Sequence, residues 1–281
     1  MNLNPNTAMV VFSGGQDSTT CLGWALHHFE RVECVSFDYG QKHSIELEAA
    51  RNVIAFFERQ TGRKITHEVI TLGPGVFAGM SPLTNPTADL ETYENAEQME
   101  AIIGNRVEKT FVPMRNAAFL MLAANRAVVA GAANLVTGVC QADNANYPDC
   151  REVFVDEAES TINHALGLED DHNASGVFAG LLIQTPLMHR SKAETIELSL
   201  ELPHTYEALK WSHTAYDGKY PPTGKDHAST LRAQGFEHAM VPDPLVLRAW
   251  SEGLMELPST PNYEGTEAFA AEFAEQLAMP S

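Results

Sequence analysis

Five short apolar runs alternate along the chain with longer stretches in which apolar residues recur at helical spacing. The runs are rich in β-branched and aromatic residues, which favour strands. They cover residues 9–13, 32–37, 65–72, 134–138 and 181–184. Helical spacing predicts helices at 44–59 and 115–130, the second apolar on most faces, as expected of a helix buried against a sheet. The alternation predicts an α/β fold with a doubly wound parallel sheet, whose ligands bind at the carboxyl ends of the strands.

The first predicted strand leads into a glycine-containing loop. Residues 10–18 read V-V-F-S-G-G-Q-D-S, so two glycines precede the point where a helix should begin. Glycines let backbone N–H groups surround an oxyanion, and a helix N-terminus adds partial positive charge, so the loop predicts a polyphosphate site. It lacks the Gly-Lys-Ser/Thr end of the Walker pattern, and a glycine turn without a ligand is the alternative. The residues predicted to bind the phosphates are Ser13, Gly14, Gly15, Gln16, Asp17 and Ser18.

Composition and charge restrict the classes of partner. The chain has 281 residues and a formal net charge of −19, which disfavours nucleic acid because binding to a phosphate backbone relies on clustered Lys and Arg. No apolar run approaches the length of a membrane span and the N-terminus lacks a signal pattern, so a soluble cytoplasmic protein with no membrane partner is expected. The four cysteines show no C-x-x-C spacing, and Cys21 and Cys34 are expected to be small buried residues.

An arginine and an asparagine, Arg115 and Asn116, begin the second predicted helix. Pro113 ends the extended segment before them, and a cation at a helix N-terminus is electrostatically unfavourable unless an anion lies beside it. Arg115 is therefore a candidate partner for a phosphate or a carboxylate. An ion pair with a surface carboxylate is the alternative.

A polar loop follows the fourth predicted strand, where α/β enzymes place their chemistry. Residues 137–151 read T-G-V-C-Q-A-D-N-A-N-Y-P-D-C-R. Asp143 and Asp149 can accept hydrogen bonds from a purine-like ring. Tyr147 can stack on such a ring or donate to it, and Arg151 can bind an anion. A polar loop with a Tyr-Pro turn is the alternative.

Taken in order, these motifs resemble the 7-cyano-7-deazaguanine synthase family of queuosine precursor biosynthesis. The resemblance runs from about residue 9 to residue 248 and rests on five segments. They are S-G-G-Q-D-S at 13–18, F-D-Y-G-Q at 37–41, F-V-P-M-R-N at 111–116, the loop at 138–151, and T-P-L-M at 185–188 with Lys192 beyond it. It implies the PP-loop ATP pyrophosphatase fold, of the adenine-nucleotide α-hydrolase type, at 1–200. A small C-terminal lobe at 201–281 is expected to pack against that domain.

The resemblance implies an enzyme, a carbon–nitrogen ligase that uses ATP and Mg²⁺. In the implied reaction, 7-carboxy-7-deazaguanine is activated by adenylation and reacts with ammonia to give the nitrile 7-cyano-7-deazaguanine (preQ0), AMP and pyrophosphate. The implied catalytic residues are Asp17, Ser18, Arg115 and Lys192. Asn116 and Gly138 would join loop 13–18 in binding ATP. Gln141, Asp143, Tyr147, Asp149 and Arg151 would line the deazaguanine pocket. The sequence does not decide whether the protein forms a homodimer.

One segment departs from the family pattern. The family carries four zinc-binding cysteines in T-C-Y-N-G and C-G-K-C-x-x-C-x-L-R, where this chain reads T-A-Y-D-G at 214–218 and T-G-K-D-H-A-S-T-L-R at 223–232. The four positions hold Ala215, Thr223, Asp226 and Ser229. Alanine has no ligand atom, and Thr and Ser hydroxyls are poor zinc ligands, so zinc is predicted to be absent. Stiffening by Pro221 and Pro222, together with side-chain hydrogen bonds, is the expected replacement.

A substitute metal site is the alternative for this segment. Its candidate ligands are His213, Asp226, His227 and His238. Their spacing matches no metal motif, so solvated or hydrogen-bonded histidines are expected instead. Contact of His213 and His227 with the nucleotide or the substrate is a further alternative.

Two stretches lie outside these motifs. Residues 73–107 are rich in Gly, Pro, Asn and Glu, which predicts an excursion over the nucleotide edge of the sheet. After Trp250 the chain becomes acidic and alanine-rich, which predicts a peripheral helix at 266–278.

Three functions stay open from the sequence. The first is the nitrile-forming ligase. The second is a repurposed relative that stops at the amide or joins the activated deazaguanine to a protein or another nucleophile, as in antiviral and phage systems; an acidic surface would suit a protein partner. The third is a non-catalytic nucleotide-binding module, which Ser13, Asp17, Ser18 and Lys192 argue against because a scaffold has no chemical need for them.

Overall fold

A five-stranded parallel sheet forms the centre of the fold in the computed structural model, which describes residues 3–41, 45–73, 75–85, 87–141, 146–168 and 179–266. The strand order is β3-β2-β1-β4-β5. The strands are β1 (Asn4–Val11), β2 (Arg31–Asp38), β3 (Thr66–Thr71), β4 (Ala132–Val136) and β5 (Leu182–Gln184). Each apolar run predicted as a strand overlaps one of them, and the predicted α/β fold with a parallel sheet is confirmed.

Helices alternate with these strands along the chain and cover the sheet. They are α1 (Gln16–His28), α2 (Ile45–Thr61), α3 (Ala96–Ile103), α4 (Arg115–Ala130), α5 (Glu152–Leu166), α6 (Lys192–Glu201), α7 (Thr205–Ala208), α8 (His227–His238) and α9 (Pro244–Ser251). The helix predicted at 115–130 has the bounds of α4, and the helix predicted at 44–59 corresponds to α2. The helix predicted at 266–278 lies outside the described residues except for Thr266.

The two faces of the sheet carry separate apolar cores. Ala8 and Val10 of β1 pack with α1 and α2 on one face, whereas Met9 packs with α4 and α5 on the other. This alternation follows from the two-residue period of a strand. Because both faces are buried, the strands read as nearly continuous apolar runs in the sequence. Cys21 and Cys34 are buried in the first of these cores, as predicted.

The chain order places a crevice at the carboxyl ends of β1 and β4. From β1 the chain builds outward through β2 and β3, and it then returns to place β4 and β5 on the other side of β1. The connections that leave β1 and β4 therefore diverge to opposite sides, which opens the crevice where doubly wound sheets bind their ligands. The glycine loop at 13–15 and the Thr137-Gly138 segment both begin there.

The C-terminal segment packs against this crevice. The predicted domain boundary near residue 200 falls at the end of α6. Beyond it, α8 lies across α6 so closely that a Cβ on Gly235 would come within 2.7 Å of Lys192 Cβ. The stretch at 73–107 contributes α3, which packs on α8 through Met99 and Leu231. Across the parts of the chain that the structure describes, no helix has the length and apolarity needed to cross a membrane.

Candidate functional site

The loop after β1 is held by its own hydroxyl groups. Ser13 Oγ lies 3.1 Å from Ser18 Oγ and accepts a hydrogen bond from the Gly15 N–H at 3.3 Å. Ser18 Oγ in turn donates to the Gly15 carbonyl at 3.1 Å. Gly15 is the N-cap of α1 and has no side chain to cap the helix. The loop therefore turns an intrinsically anion-binding helix end toward the crevice.

Two glycines set the position of this loop. Gly14 has a φ of +82°, and a Cβ there would lie 2.6 Å from backbone atoms of α2. Gly138 follows β4, and a Cβ there would lie 3.3 Å from the carbonyl carbon of Asp17. Both contacts are with backbone, which cannot move aside as a flexible side chain can. The two glycines therefore let the loop lie against α2 and against the end of β4.

Two adjoining cavities open on either side of the loop. Cavity A, of about 300 Å³, lies beside β1 and β2. Cavity B, of about 230 Å³, lies beside α6 and α8. Of the residues predicted from the sequence, Ser13, Asp17, Ser18 and Tyr147 line both cavities; Arg115, Asn116 and Gly138 line cavity A; and Gly15, Gln16, Gln141, Arg151 and Lys192 line cavity B. The fold thus gathers most of the predicted site around one loop.

Two predicted residues, Gly14 and Asp149, are placed differently, and a third is not among the described residues. Asp143 lies outside the described residues. Gly14 lines neither cavity and packs on α2 instead. Asp149 lines neither cavity as well; it is buried near the start of α4, where burial raises the pKa of its carboxyl and Arg115 lowers it. Hydrogen bonds from Asn116 also lower the pKa of this carboxyl.

Lys192 reaches the glycine loop from the far end of the chain. Its Nζ lies 2.6 Å from Asp17 Oδ2, and the two side chains are 16% and 28% exposed. Lys192 is the first residue of α6, which is capped by Ser191 in a capping box with Glu194. A capped helix holds the lysine at a defined position, so its ammonium stands beside the glycine loop.

Arg115 is enclosed among tyrosines. Its guanidinium forms a hydrogen bond with Tyr39 and faces Tyr147 and Tyr216, and these neighbours keep its pKa high despite burial. The positive charge of Arg115 also lowers the pKa of the Glu46 carboxyl, which lines the same cavity A. A guanidinium in these surroundings is not one member of a surface ion pair. It is a half-buried cation that lines cavity A.

The ring of Tyr147, rather than its hydroxyl, is available for contact with a ligand. The hydroxyl lies 2.6 Å from Thr110 Oγ1 and donates to Glu108 Oε2 at 3.2 Å. Glu108 is buried and also accepts from the N–H and the hydroxyl of Thr110. Phe111 packs against the tyrosine ring at 5.3 Å between centroids. With its hydroxyl engaged, Tyr147 can stack on a planar ligand in either cavity.

Glu46 is a site residue that the sequence analysis missed. It lies in the first turn of α2 and lines both cavities. Burial raises the pKa of its carboxyl from an ordinary 4.5 to about 7; Arg115 opposes this shift and Asp226 adds to it. Its position shortly after the F-D-Y-G-Q segment could have identified it from the sequence. Acidic residues are common in the first turn of a helix, so the residue type alone did not mark it as part of a site.

The raised pKa of Glu46 predicts a pH dependence of stability. Between pH 4.5 and about 7 the folded state binds this proton more tightly than the unfolded state does, so the free energy of unfolding falls as pH rises through that window. Replacing Glu46 by glutamine will flatten this part of the curve, as measured by thermal unfolding from pH 4.5 to 8. Glu48→Gln, an exposed change on the same helix, is the control. Parallel curves for wild type and Glu46→Gln would contradict the assignment.

The four positions compared above with zinc-binding cysteines lie in a segment held by hydrogen bonds. Asp226 caps α8 by accepting from the Ser229 N–H at 3.0 Å, and Ser229 Oγ donates to the Asp226 carbonyl. The Thr223 N–H donates to Asp217 Oδ2 at 2.9 Å. No three His, Cys, Asp or Glu side chains converge on a metal-sized site within the described ranges. These residues do not fit a zinc ion, and side-chain hydrogen bonds span the segment instead.

The histidines of this segment have separate surroundings. His213 Nε2 is hydrogen-bonded with the Ala215 carbonyl at 3.0 Å. The backbone N–H of His213 donates to the Gly14 carbonyl. His238 is exposed at the end of α8. His227 is buried and lines cavity B beside Lys192. They do not come together as a substitute metal site, whereas His213 and His227 do reach the site.

A buried arginine joins the C-terminal segment to the glycine loop. Arg232 forms a two-bond ion pair with Asp243, with Nε to Oδ2 at 2.6 Å and Nη2 to Oδ1 at 2.8 Å. Its Nη1 donates to Thr214 Oγ1 at 2.9 Å, and that hydroxyl accepts from the Gln16 N–H at 3.2 Å. The first N–H of α1 therefore donates to the Thr214 hydroxyl, and the buried guanidinium of Arg232 orients that hydroxyl.

Comparisons with known proteins identify relatives of this chain. Residues 7–240 match the family described as Queuosine biosynthesis protein QueC. A 7-cyano-7-deazaguanine synthase of Gloeobacter violaceus is 45% identical over 240 residues, which are 85% of this chain and 94% of that protein. A 7-cyano-7-deazaguanine synthase of Chromobacterium violaceum is 43% identical over 248 residues, 87% of this chain and 95% of that protein.

Likeness to solved structures is weaker. A 4-thiouridine synthetase solved in complex with RNA and ATP covers 96% of this chain and 53% of its own, at 15% identity and a TM-score of 0.42, which supports no conclusion about function. The family match, in contrast, spans most of the chain and agrees with two close relatives along nearly their whole length. The chain therefore belongs to the QueC family of queuosine biosynthesis proteins.

Proposed function

We propose that this chain is a 7-cyano-7-deazaguanine synthase, which converts 7-carboxy-7-deazaguanine, ammonia and ATP into preQ0, AMP and pyrophosphate. The observation that carries the proposal is the glycine loop with Lys192 at 2.6 Å from Asp17, between two cavities that differ in chemistry. Relatives at 45% and 43% identity bear that name over nearly their full length. The substrate is thus a small molecule, with no nucleic acid required.

ATP would lie across the loop. The N-termini of α1 and α4 both reach cavity A, and neither helix has a side-chain cap from its own N-cap residue. The β- and γ-phosphates would bind at Ser13 and Ser18 and to Lys192. The adenosine would enter cavity A, whose wall includes the stacked rings of Phe37 and Phe119 at 4.1 Å. These apolar faces suit a planar base, and the polar loop suits the leaving pyrophosphate.

The deazaguanine would lie between the α-phosphate and the wall of cavity B. Tyr147 presents its ring at the junction of the cavities, while Gln141 and Arg151 line the outer wall. A carboxylate carried by the ring would then point at the loop and at Arg115. Holding two anions close together requires cations beside them, and Arg115 and Lys192 are two half-buried cations of this site.

The reaction needs two activations. A carboxylate oxygen attacks the α-phosphorus of ATP and pyrophosphate leaves; ammonia then forms a bond to the acyl carbon as AMP departs, giving the amide. In the second round the amide oxygen attacks the α-phosphorus of another ATP and pyrophosphate leaves. AMP then departs with that oxygen, and loss of the two N–H protons forms the nitrile. Mg²⁺ bound with the triphosphate would neutralise phosphate charge, and Asp17 offers the oxygen ligand that this ion prefers. The protein positions the reactants and stabilises charge.

A product assay tests this function. Purified protein would be incubated with ATP, Mg²⁺, ammonium and 7-carboxy-7-deazaguanine, and the products resolved by mass spectrometry. PreQ0 together with AMP and pyrophosphate is the expected result. Amide alone, or a mass adduct on the protein, would instead identify a repurposed ligase. No AMP in the presence of the carboxylate would favour a non-catalytic nucleotide-binding module.

We also propose that this enzyme works without zinc, since the four family positions lack a fitting set of ligands. Elemental analysis of the purified protein should find no stoichiometric zinc, and EDTA should leave the midpoint of thermal unfolding unchanged. A structural zinc contributes on the order of 10 kcal/mol in small domains, so its removal would lower that midpoint clearly. One equivalent of zinc, or a large EDTA effect, would overturn this part of the proposal.

A further inference from the structure

The imidazole of His227 is a buried polar group with no partner at one nitrogen. The residue is 4% exposed, and its side chain lines cavity B. Within the residues that the structure describes, Nε2 is fully buried and makes no hydrogen bond. A buried polar atom without a partner costs free energy, so such an atom beside a cavity indicates a ligand that completes it.

The surroundings of His227 keep its ring neutral. It is the first residue of α8, whose N-terminus disfavours a positive charge. Burial lowers the pKa of the imidazole to about 4; the ammonium of Lys192 adds to this effect, and the carboxylate of Glu108 opposes it. A neutral imidazole has one nitrogen that carries a proton and one with a free lone pair. His227 can therefore accept a hydrogen bond inside cavity B.

The proposed reaction consumes ammonia, which must give up protons as the product forms. The nitrile nitrogen carries no hydrogen, so every proton that enters on ammonium must be lost. Lys192, Arg151 and Arg232 are the cations of cavity B, and they bind anions but cannot accept a proton as charged groups. They also disfavour ammonium relative to neutral ammonia. Asp17 and Glu46 also line cavity B, but Asp17 pairs with Lys192 at 2.6 Å and the charge of Arg115 acts on Glu46. His227 Nε2 is instead a neutral acceptor whose hydrogen-bonding capacity is unused among the described residues.

We propose that cavity B holds the ammonia nucleophile at His227 Nε2. This inference rests on the proposed function and assigns the ammonia subsite of that same site. In the first round the nitrogen forms a bond to the acyl carbon, and the carbon–oxygen bond to AMP breaks with its electron pair on the phosphate oxygen. One nitrogen-bound proton moves to Nε2, which then releases it to solvent.

The test separates adenylation from the use of ammonia. His227→Gln and His227→Ala would be compared with His238→Gln, an exposed change at the other end of the same helix. Adenylation is followed as carboxylate-dependent ATP–pyrophosphate exchange without ammonium. Ammonia use is followed as product formation across a range of ammonium concentrations. Because acid–base groups contribute about 10²–10⁴-fold, both His227 variants should lose at least about 100-fold in kcat/KM for ammonium.

The pattern across the two assays decides the outcome. We expect the His227 variants to keep their exchange rate within a few fold, and added imidazole to restore part of the activity of His227→Ala. Wild-type dependence on ammonium in both variants would overturn the ammonia site. Equal losses in exchange and in ammonia use, with a lowered unfolding midpoint, would show a structural role and also overturn it. If the wild-type protein itself shows no carboxylate-dependent exchange, the proposed function fails first.

Discussion

Replacing Lys192 by alanine will lower the rate of AMP formation by about 10²–10³-fold, the usual cost of removing a preorganised group that stabilises developing charge. The ammonium stands 2.6 Å from Asp17 beside the glycine loop and is only 16% exposed. Without it, the leaving pyrophosphate loses a positively charged partner. Asp17 also loses the cation that neutralises its negative charge. The measurement is release of pyrophosphate in the presence of ATP and 7-carboxy-7-deazaguanine.

Two companion variants define what the lysine does. Lys192→Arg keeps the charge but changes its geometry, and should fall between wild type and Lys192→Ala. Lys64→Ala removes an exposed lysine far from the loop and should leave the rate unchanged; its side chain is 89% exposed. Pyrophosphate release by Lys192→Ala at the wild-type rate would show that this residue has no part in activation.

Replacing Asp243 by alanine will lower the free energy of unfolding by about 3–5 kcal/mol, because it leaves the guanidinium of Arg232 buried without its counter-charge. The two side chains are 5% and 4% exposed and share two hydrogen bonds. Asp243 also caps α9 by accepting from the Leu245 N–H at 2.9 Å. Urea unfolding followed by fluorescence measures the change.

The double variant Arg232→Met with Asp243→Leu separates the stranded charge from the lost contacts. Removing both partners avoids an uncompensated buried ion, so the loss should shrink toward the cost of the missing cap, about 1 kcal/mol. The double variant should still bind ATP more weakly, since Thr214 loses the arginine that orients it toward Gln16. A single variant within about 1 kcal/mol of wild type would mean that water or a neighbour compensates Arg232.

The site concentrates positive potential in an acidic protein. The chain carries a net charge of −19, yet the N-termini of α1, α4, α6 and α8 all reach the two cavities. Arg115 and Lys192 begin two of these helices. Helix ends and half-buried cations act at short range, whereas dispersed surface carboxylates are screened by salt. Polyphosphate binding is therefore compatible with the overall charge of the molecule.

Local pattern predicted the elements well because strands and helices depend on near neighbours in sequence. The run into Ser13 ends in glycines, and α4 begins at Arg115 as the periodicity predicts. Asp149 shows where such reasoning stops. It sits in the polar loop beside Tyr147 as expected, but its carboxylate is buried near the start of α4 and lines neither cavity among the described residues. The order of motifs along the chain indicates which residues lie near the site. The packing of the elements around them determines which way each side chain faces.

The sequence by itself determined the strand and helix order, the parallel sheet and the glycine loop, because periodicity and backbone preference act over a few residues. The tertiary structure alone decided that Lys192 meets Asp17 across 175 positions, that Glu46 and His227 enter the same two cavities, and that Asp226 caps α8. These contacts depend on how close whole helices come. Gly235 lets α8 approach Lys192, and that spacing arises only when distant segments pack together.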